Sequence, residues 1–275
     1  MMTQSDKATR FRALHQGPRV LVMPNPWDAG SAKLLASLGF EALATTSLGV
    51  ANMLGVPDGE GRLPREAVLE NCRVLSAATD LPVSADLENG YAHEPRAAAR
   101  MITDAAAAGV VGGSIEDSTG DLAKPIYDFN LAVERVQAAV EAARALPFPF
   151  TFTARAENLL HGSPDLDDII RRLQAFEKAG ADVLYAPGLS SLDDVRTVVK
   201  SVSKPVNVVM GWVAKGTTVQ DLETAGVRRI SIGGALSRVA LGAFMKAARD
   251  LKDNGSFAWM ADSMQTKQLK DIFRG

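Results

Sequence analysis

The stretch "AAGVVGGSIEDS" (residues 107–118) decides how this chain folds. An alanine-rich helical segment runs into Gly109, a residue suited to the left-handed C-cap that turns a helix toward a strand. A β-branched run follows, and it ends on two acids, Glu116 and Asp117. Helix, glycine, strand and acid is a pattern that can be followed in both directions. Glycines in "SLGF", "AAGV", "KAGA" and "TAGV" (Gly39, Gly109, Gly180, Gly226) precede the second, fourth, sixth and eighth strand candidates. Prolines (Pro18, Pro82, Pro147, Pro205) precede the first, third, fifth and seventh, where a missing N–H removes no central ladder bond.

The strand candidates are 19–24, 40–47, 82–88, 109–116, 148–154, 181–187, 205–211 and 228–234. Helical candidates lie near 28–38, 64–79, 94–108, 128–145, 165–179, 191–202, 217–225 and 236–253. Four tandem strand–helix–strand–helix units are the simplest reading, and eight parallel strands with helical crossovers close into a (β/α)8 TIM-type barrel of the α/β class. An open doubly wound sheet is disfavoured, because no strand leads into a G-x-G-x-x-G phosphate loop. The chain reads as one domain: an extra N-terminal helix over 1–17, the barrel over 18–255 and a helical tail over 256–275. The tail's apolar residues, among them Phe257, Trp259, Met260 and Phe273, need cover, which a neighbouring subunit would supply.

Composition narrows the function classes. At 275 residues, 47% hydrophobic and 23% charged, the chain is long enough for a barrel-sized core. A formal net charge of −2 gives no drive toward nucleic acid or anionic membrane. The single cysteine, Cys72, excludes an internal disulfide or a cysteine-built zinc site and fits a cytoplasmic protein. Cys72 itself lies within a helical pattern and reads as a buried thiol. Neither a signal peptide nor a membrane-spanning run is evident.

In such a barrel, function collects at the C-terminal ends of the strands. Those ends carry Thr45, Thr46 and Ser47; Asp86 and Glu88; Glu116 and Asp117; and Arg155 and Glu157. If "PVSADLE" is extended throughout, Asp86 and Glu88 project from one face, and a shared cation would explain two like charges side by side. Oxygen ligands from several strands suit magnesium or manganese better than zinc, and none of the three histidines ends a strand. Arg155 reads either as a site residue or as a counter-ion to Asp86 or Glu116. Asp117 or Ser118 reads equally as a helix cap. The glycine- and acid-rich turn "GVPDGEGR" (55–62) suits a mobile loop carrying Asp58.

Taken in order, "TTSLGVANMLGVPDGE", "SADLENGYA", "GSIEDS" and "TARAE" resemble the isocitrate lyase/phosphoenolpyruvate mutase superfamily over roughly residues 20–240. The resemblance implies a modified barrel that binds Mg2+ (or Mn2+) and a small 2-oxo or 2-hydroxy carboxylate, and that breaks C–C or P–C bonds through an enolate-like intermediate. By position it makes Asp86, Glu88 and Glu116 the metal residues, with Glu116 acting through the ion's water shell. It makes Arg155, Asp58 and Glu116 catalytic. Thr45, Thr46, Ser47, Leu48, Asp86, Arg155 and Asn207 become the substrate-binding set, with Ser47 and Leu48 offering backbone N–H groups and Asn207 meeting a distal carboxylate. It also implies a homo-oligomer, a tetramer or a dimer, with exchanged C-terminal helices. Two departures stand out. Glu88 falls where many members have Asp. The lyases' K-x-C-G-H segment is replaced by "EDSTGDLAKPIYDF", which has Lys124 but no cysteine or histidine. Tyr127 or a metal-activated water is then the expected substitute for the missing acid. The leading expectation is a C–C lyase or oxaloacetate-type decarboxylase; the alternatives are a P–C bond enzyme and a weakly active 2-oxo-acid binder.

Overall fold

The computed structural model describes residues 2–274. After an N-terminal helix, α1 (Gln4–Leu14), the first half runs β1 (Leu21–Met23), α2 (Ala29–Ser37), β2 (Leu43–Ala44), α3 (Ser47–Leu54), α4 (Arg65–Ala78), β3 (Val83–Asp86), α5 (Pro95–Ala107) and β4 (Gly112–Glu116). The second half runs α6 (Phe129–Arg144), β5 (Thr151–Arg155), α7 (Leu166–Ala179), β6 (Val183–Tyr185), α8 (Leu192–Lys200), β7 (Val206–Val209), α9 (Val219–Thr224) and β8 (Arg229–Ser231). Helix α10 (Ala235–Asn254) and helix α11 (Thr266–Arg274) complete the chain. All neighbouring strand pairs are parallel, in the order β1-β8-β7-β6-β5-β4-β3-β2. The result is a nearly closed (β/α)8 barrel. Among the described residues, no helix is long and apolar enough to cross a membrane.

The glycine punctuation works as the sequence implies. Gly39, Gly109, Gly180 and Gly226 have φ of 84°, 104°, 106° and 89° at or just past their helices, a region that a Cβ disfavours. Strands β2 and β3 are shorter than expected. The run through "TTSLGV" becomes helix α3 from Ser47 onward, an element the β-branched pattern conceals. Strand β3 stops at Asp86, so Asp86 and Glu88 do not share an extended strand face: Leu87 turns inward, wholly buried, and Glu88 takes a left-handed φ of 51°.

The barrel is sealed at both weak points. At its lower end, α1 inserts Phe11, fully buried, so close to β4 that a Cβ on Gly112 would lie 2.7 Å from the ring. Lys7 ties α1 down by donating to the Thr79 carbonyl (2.7 Å). Between β1 and β2 there is no ladder, only the Ala44 N–H donating to the Pro24 carbonyl (3.0 Å). Asn25 bridges this seam: its Nδ2 donates to the Thr45 carbonyl (2.8 Å), and its Oδ1 accepts from the Ile232 N–H (2.9 Å) beyond β8. The tail turns back so that Lys33 on α2 donates to the Phe273 carbonyl (2.7 Å). Val239, Phe244 and Met245 on α10 and Phe257 and Met260 beyond it remain exposed.

Asn25 is 4% exposed, so its truncation strands a buried carbonyl and a backbone N–H together. Asn25→Ala is expected to lower unfolding stability by about 2–4 kcal/mol, read as a reduced urea midpoint with little change in slope.

Candidate active site

Strands β3, β4 and β5 deliver Asp86, Glu116 and Arg155 to one rim because each is the last residue of its strand, and the β4–β5 register pairs Glu116 with Arg155. One Arg155 guanidinium then meets three carboxylates. Its Nη1 lies 2.9 Å from Asp86 Oδ1, and its Nη2 lies 3.1 Å from Glu116 Oε2 and 2.9 Å from Glu157 Oε1. Its face lies over the Tyr185 ring, 4.9 Å from the centroid. Burial alone would depress the guanidinium's pKa, but Glu157, Glu116 and Asp86 more than offset this and hold it well above its ordinary value. Arg155 is therefore a counter-ion to three carboxylates at this rim.

A cavity of about 500 Å³ opens above this cluster, lined among others by Ser47, Asp58, Glu88, Glu116, Arg155 and Glu157. Asp58 reaches it from the glycine-rich turn and accepts a long hydrogen bond from the Ser47 hydroxyl (3.5 Å). Glu88 arrives through its left-handed turn. Burial, then the nearby charges of Asp86, Glu116 and Asp58, raise the Glu88 pKa to about 8. Burial and then Asp86 raise that of Asp58 as well. Burial also raises Glu157, against the pull of Arg155. With Asp58, Asp86, Glu88, Glu116 and Glu157 against Arg155, the mouth has an excess of negative charge that a cation would relieve.

The remaining predicted residues surround this mouth. Thr45 Oγ1 accepts from the Asp86 N–H (2.8 Å), and Thr46 is the N-cap residue of α3. The Ser47 N–H points at Asp86 Oδ2 (3.4 Å), and the Leu48 side chain packs on Gly234. Asn207 is buried on β7, where it accepts from Arg229 Nε (2.8 Å) and donates to Ser231 (3.1 Å). Neither candidate cap serves as one. Asp117 accepts from the Glu157 N–H (2.8 Å) and binds Arg172 (3.0 Å), while Ser118 donates to Glu116 (2.6 Å). Tyr127 is engaged away from the mouth: its hydroxyl pairs with His93 Nδ1 (2.6 Å), and Arg135 covers its ring at 4.2 Å. Cys72 is fully buried, which pushes its thiol up to about 12, as a structural cysteine requires.

Two mouth residues fall outside a reading confined to strand ends. Tyr91, with a left-handed φ of 55°, lines the cavity with a buried hydroxyl that has no partner. His161, at the end of the 3-10 turn Asn158–His161 after β5, lines it too. The turn following a strand was the signal available for each.

The donor set is all oxygen. Among the described residues no three acidic, histidine or cysteine side chains form a ready-made metal cage. That suits an ion such as magnesium, which keeps several waters and takes only one or two carboxylates directly. Asp86, Glu88 and Glu116 are the residues that would hold it.

An acidic mouth at the C-terminal rim of a (β/α)8 barrel, with one fixed guanidinium, lies where enzymes of this fold carry their active sites. The chain belongs to the phosphoenolpyruvate phosphomutase family, whose model matches residues 11–252, and so to the isocitrate lyase/phosphoenolpyruvate mutase superfamily of lyases and mutases. A Burkholderia cenocepacia structure provisionally classed as a lyase/mutase is 51% identical with a TM-score of 0.96, covering 99% of this chain and 97% of that one. A probable 2-methylisocitrate lyase of Corynebacterium glutamicum is 29% identical over 98% of this chain and 89% of its own length. The structure of 2,3-dimethylmalate lyase, a member of the same superfamily, is 27% identical with a TM-score of 0.87, covering 99% of this chain and 95% of that one.

The raised Glu88 carboxyl sets the sign of a pH effect. Its folded pKa of about 8 exceeds the ordinary 4.5, so the metal-free native state binds the extra proton. Its contribution is fully present below about 4.5 and is lost as pH rises through about 8. In EDTA, the urea midpoint is therefore expected to fall from pH 5 to pH 8, and Glu88→Gln should flatten that slope. Magnesium should stabilise more at pH 8 than at pH 5.

Proposed function

We propose that this protein is a magnesium-dependent carbon–carbon lyase for a small 2-hydroxy or 2-oxo dicarboxylate, working through an enolate-like intermediate. The observation that carries the reading is Arg155 held by Asp86, Glu116 and Glu157 at the strand ends. When bound, the divalent ion would neutralise the substrate's carboxylate and the charge that develops on its oxygen.

The chain's own residues supply the rest. Arg155, fixed by its three carboxylates, is a preorganised positive charge that needs no reorientation as an enolate forms. The N–H groups of Ser47 and Leu48, in the first turn of α3, orient a substrate carboxylate. Asp58, partly buried at the mouth and made more basic by its raised pKa, is placed to take the proton of the substrate's 2-hydroxyl as the C–C bond breaks. The turn 55–62 that carries it lines the cavity with Gly59 and Gly61. With the lyases' cysteine segment absent, the second proton comes from the mouth, where Tyr91 and His161 stand. Asn207, linked to Arg229 and Ser231, supports the wall that a distal carboxylate would meet. The exposed apolar face of α10 and the tail favours a homo-oligomer.

The description of the matching family favours one second reading, cleavage of a P–C bond in a phosphonate relative of pyruvate. A panel of 2-methylisocitrate, 2,3-dimethylmalate, oxaloacetate and phosphonopyruvate separates the two, with products resolved by mass. Turnover of a C–C substrate that stops in EDTA is expected. Asp86→Asn is expected to lower kcat at least about 100-fold. Phosphate release from phosphonopyruvate alone would favour the second reading, and metal-independent turnover would overturn both.

A further inference from the structure

The interior of this barrel is unusually polar. Bulky branched residues ordinarily fill such interiors. Here alternation along β5 places Thr151 and Thr153 on the inward side with Arg155, and the neighbouring strands add Ser84, Ser114 and Ser231. Ser84, Ser114 and Ser231 line a cavity of about 60 Å³ together with Tyr185, Asn207 and Arg229, and Asp86 and Arg155 border it as an ion pair.

Arg229 is the unexplained group. It is 3% exposed, and its Nε donates to Asn207, yet its Nη1 is buried without a partner. No carboxylate among the described residues forms an ion pair with it. Burial lowers its pKa to about 10, so the guanidinium stays charged at neutral pH. On the lower side, His15, close enough to feel the Arg229 charge, has its Nε2 buried without a partner as well. A desolvated guanidinium beside a small polar cavity, with no carboxylate paired to it, lacks its counter-charge. The space holds about two waters, or one halide or one-carbon carboxylate, and is too small for a four-carbon acid.

We propose that the barrel interior beneath Asp86 is a binding site for a small monovalent anion, of halide or formate size, with the Arg229 guanidinium as its charged donor. The Tyr185 and serine hydroxyls complete the cradle. The cavity shares Asp86, Arg155 and Asn207 with the mouth above, but the proposal rests on Arg229, which no step of the proposed reaction uses.

The test uses the full chain in EDTA without substrate. Crystals grown in bromide are expected to show anomalous density within about 3.5 Å of Arg229 Nη1. Replacing gluconate by chloride at constant ionic strength is expected to raise the wild-type Tm by about 3 °C and to leave Arg229→Gln and Arg229→Met unmoved. The same chemistry could instead come from a substrate carboxylate. Oxalate seated on Arg229 with no halide density would uphold the cradle and assign its anion to that source. Water alone at Nη1 in both crystals, with equal chloride response in wild type and variants, would overturn the proposal whatever the enzyme's activity proves to be.

Discussion

One guanidinium makes the mouth of this barrel possible. Five carboxylates crowd a single rim, and without Arg155 the repulsion among Asp86, Glu116 and Glu157 would work directly against the strand register that brings them together. Their geometry is fixed from three sides at once: by the parallel β4–β5 pairing, by the backbone of the β3 turn and by the buried Asp117–Arg172 knot behind Glu157. The incomplete neutralisation is the chemically useful part. Burial first, and then the negative charge left over, raises Glu88 and Asp58, and a divalent cation would relieve that charge.

Much of this was legible in the sequence, and the reasons are local. Gly39, Gly109, Gly180 and Gly226 signal helix ends because few other residues tolerate positive φ, and Pro82 and Pro205 mark strand entrances because their carbonyls pair while their nitrogens cannot. The acids were visible because strand ends in a barrel have a known destination. What stayed hidden is conformational or non-local. Helix α3 begins inside a β-branched run, where tertiary packing overrides propensity. Glu88 turns out of the strand into a left-handed conformation that no pattern announces, and it reaches the cavity by that route. Tyr91 and His161 sit in turns, beyond any test restricted to strand ends. Tyr127 looked available for proton transfer from its position in the chain, but its hydroxyl belongs to His93.

The two ends of the barrel divide their labour. The lower end is closed by Phe11 against Gly112, a contact that leaves no room for a Cβ and anchors α1 as a plug. The upper end is charged, with Asp86 and Glu116 closing their strands and Asp58, Glu88 and Glu157 on the turns beyond. Between them lies a polar interior built on Arg229, Asn207 and Ser231, in place of the aliphatic layers such a barrel usually contains. The apolar residues of α10 and the tail lie outside this arrangement, on a face the barrel itself does not cover.

The seam at Asn25 bears on the order in which the molecule assembles. Seven strand junctions are ladders between neighbours in the sheet, while the β1–β2 gap is spanned by one backbone bond and by Asn25, which holds Thr45 on that side and, 207 positions away in sequence, Ile232 on the other. Contacts of such separation are entropically expensive until the intervening chain is already compact. The entropically costly closure is therefore the β1–β8 ladder, and the Asn25 amide ties that long-range junction to the local one beside it, so one side chain holds the first strand to both the second and the eighth.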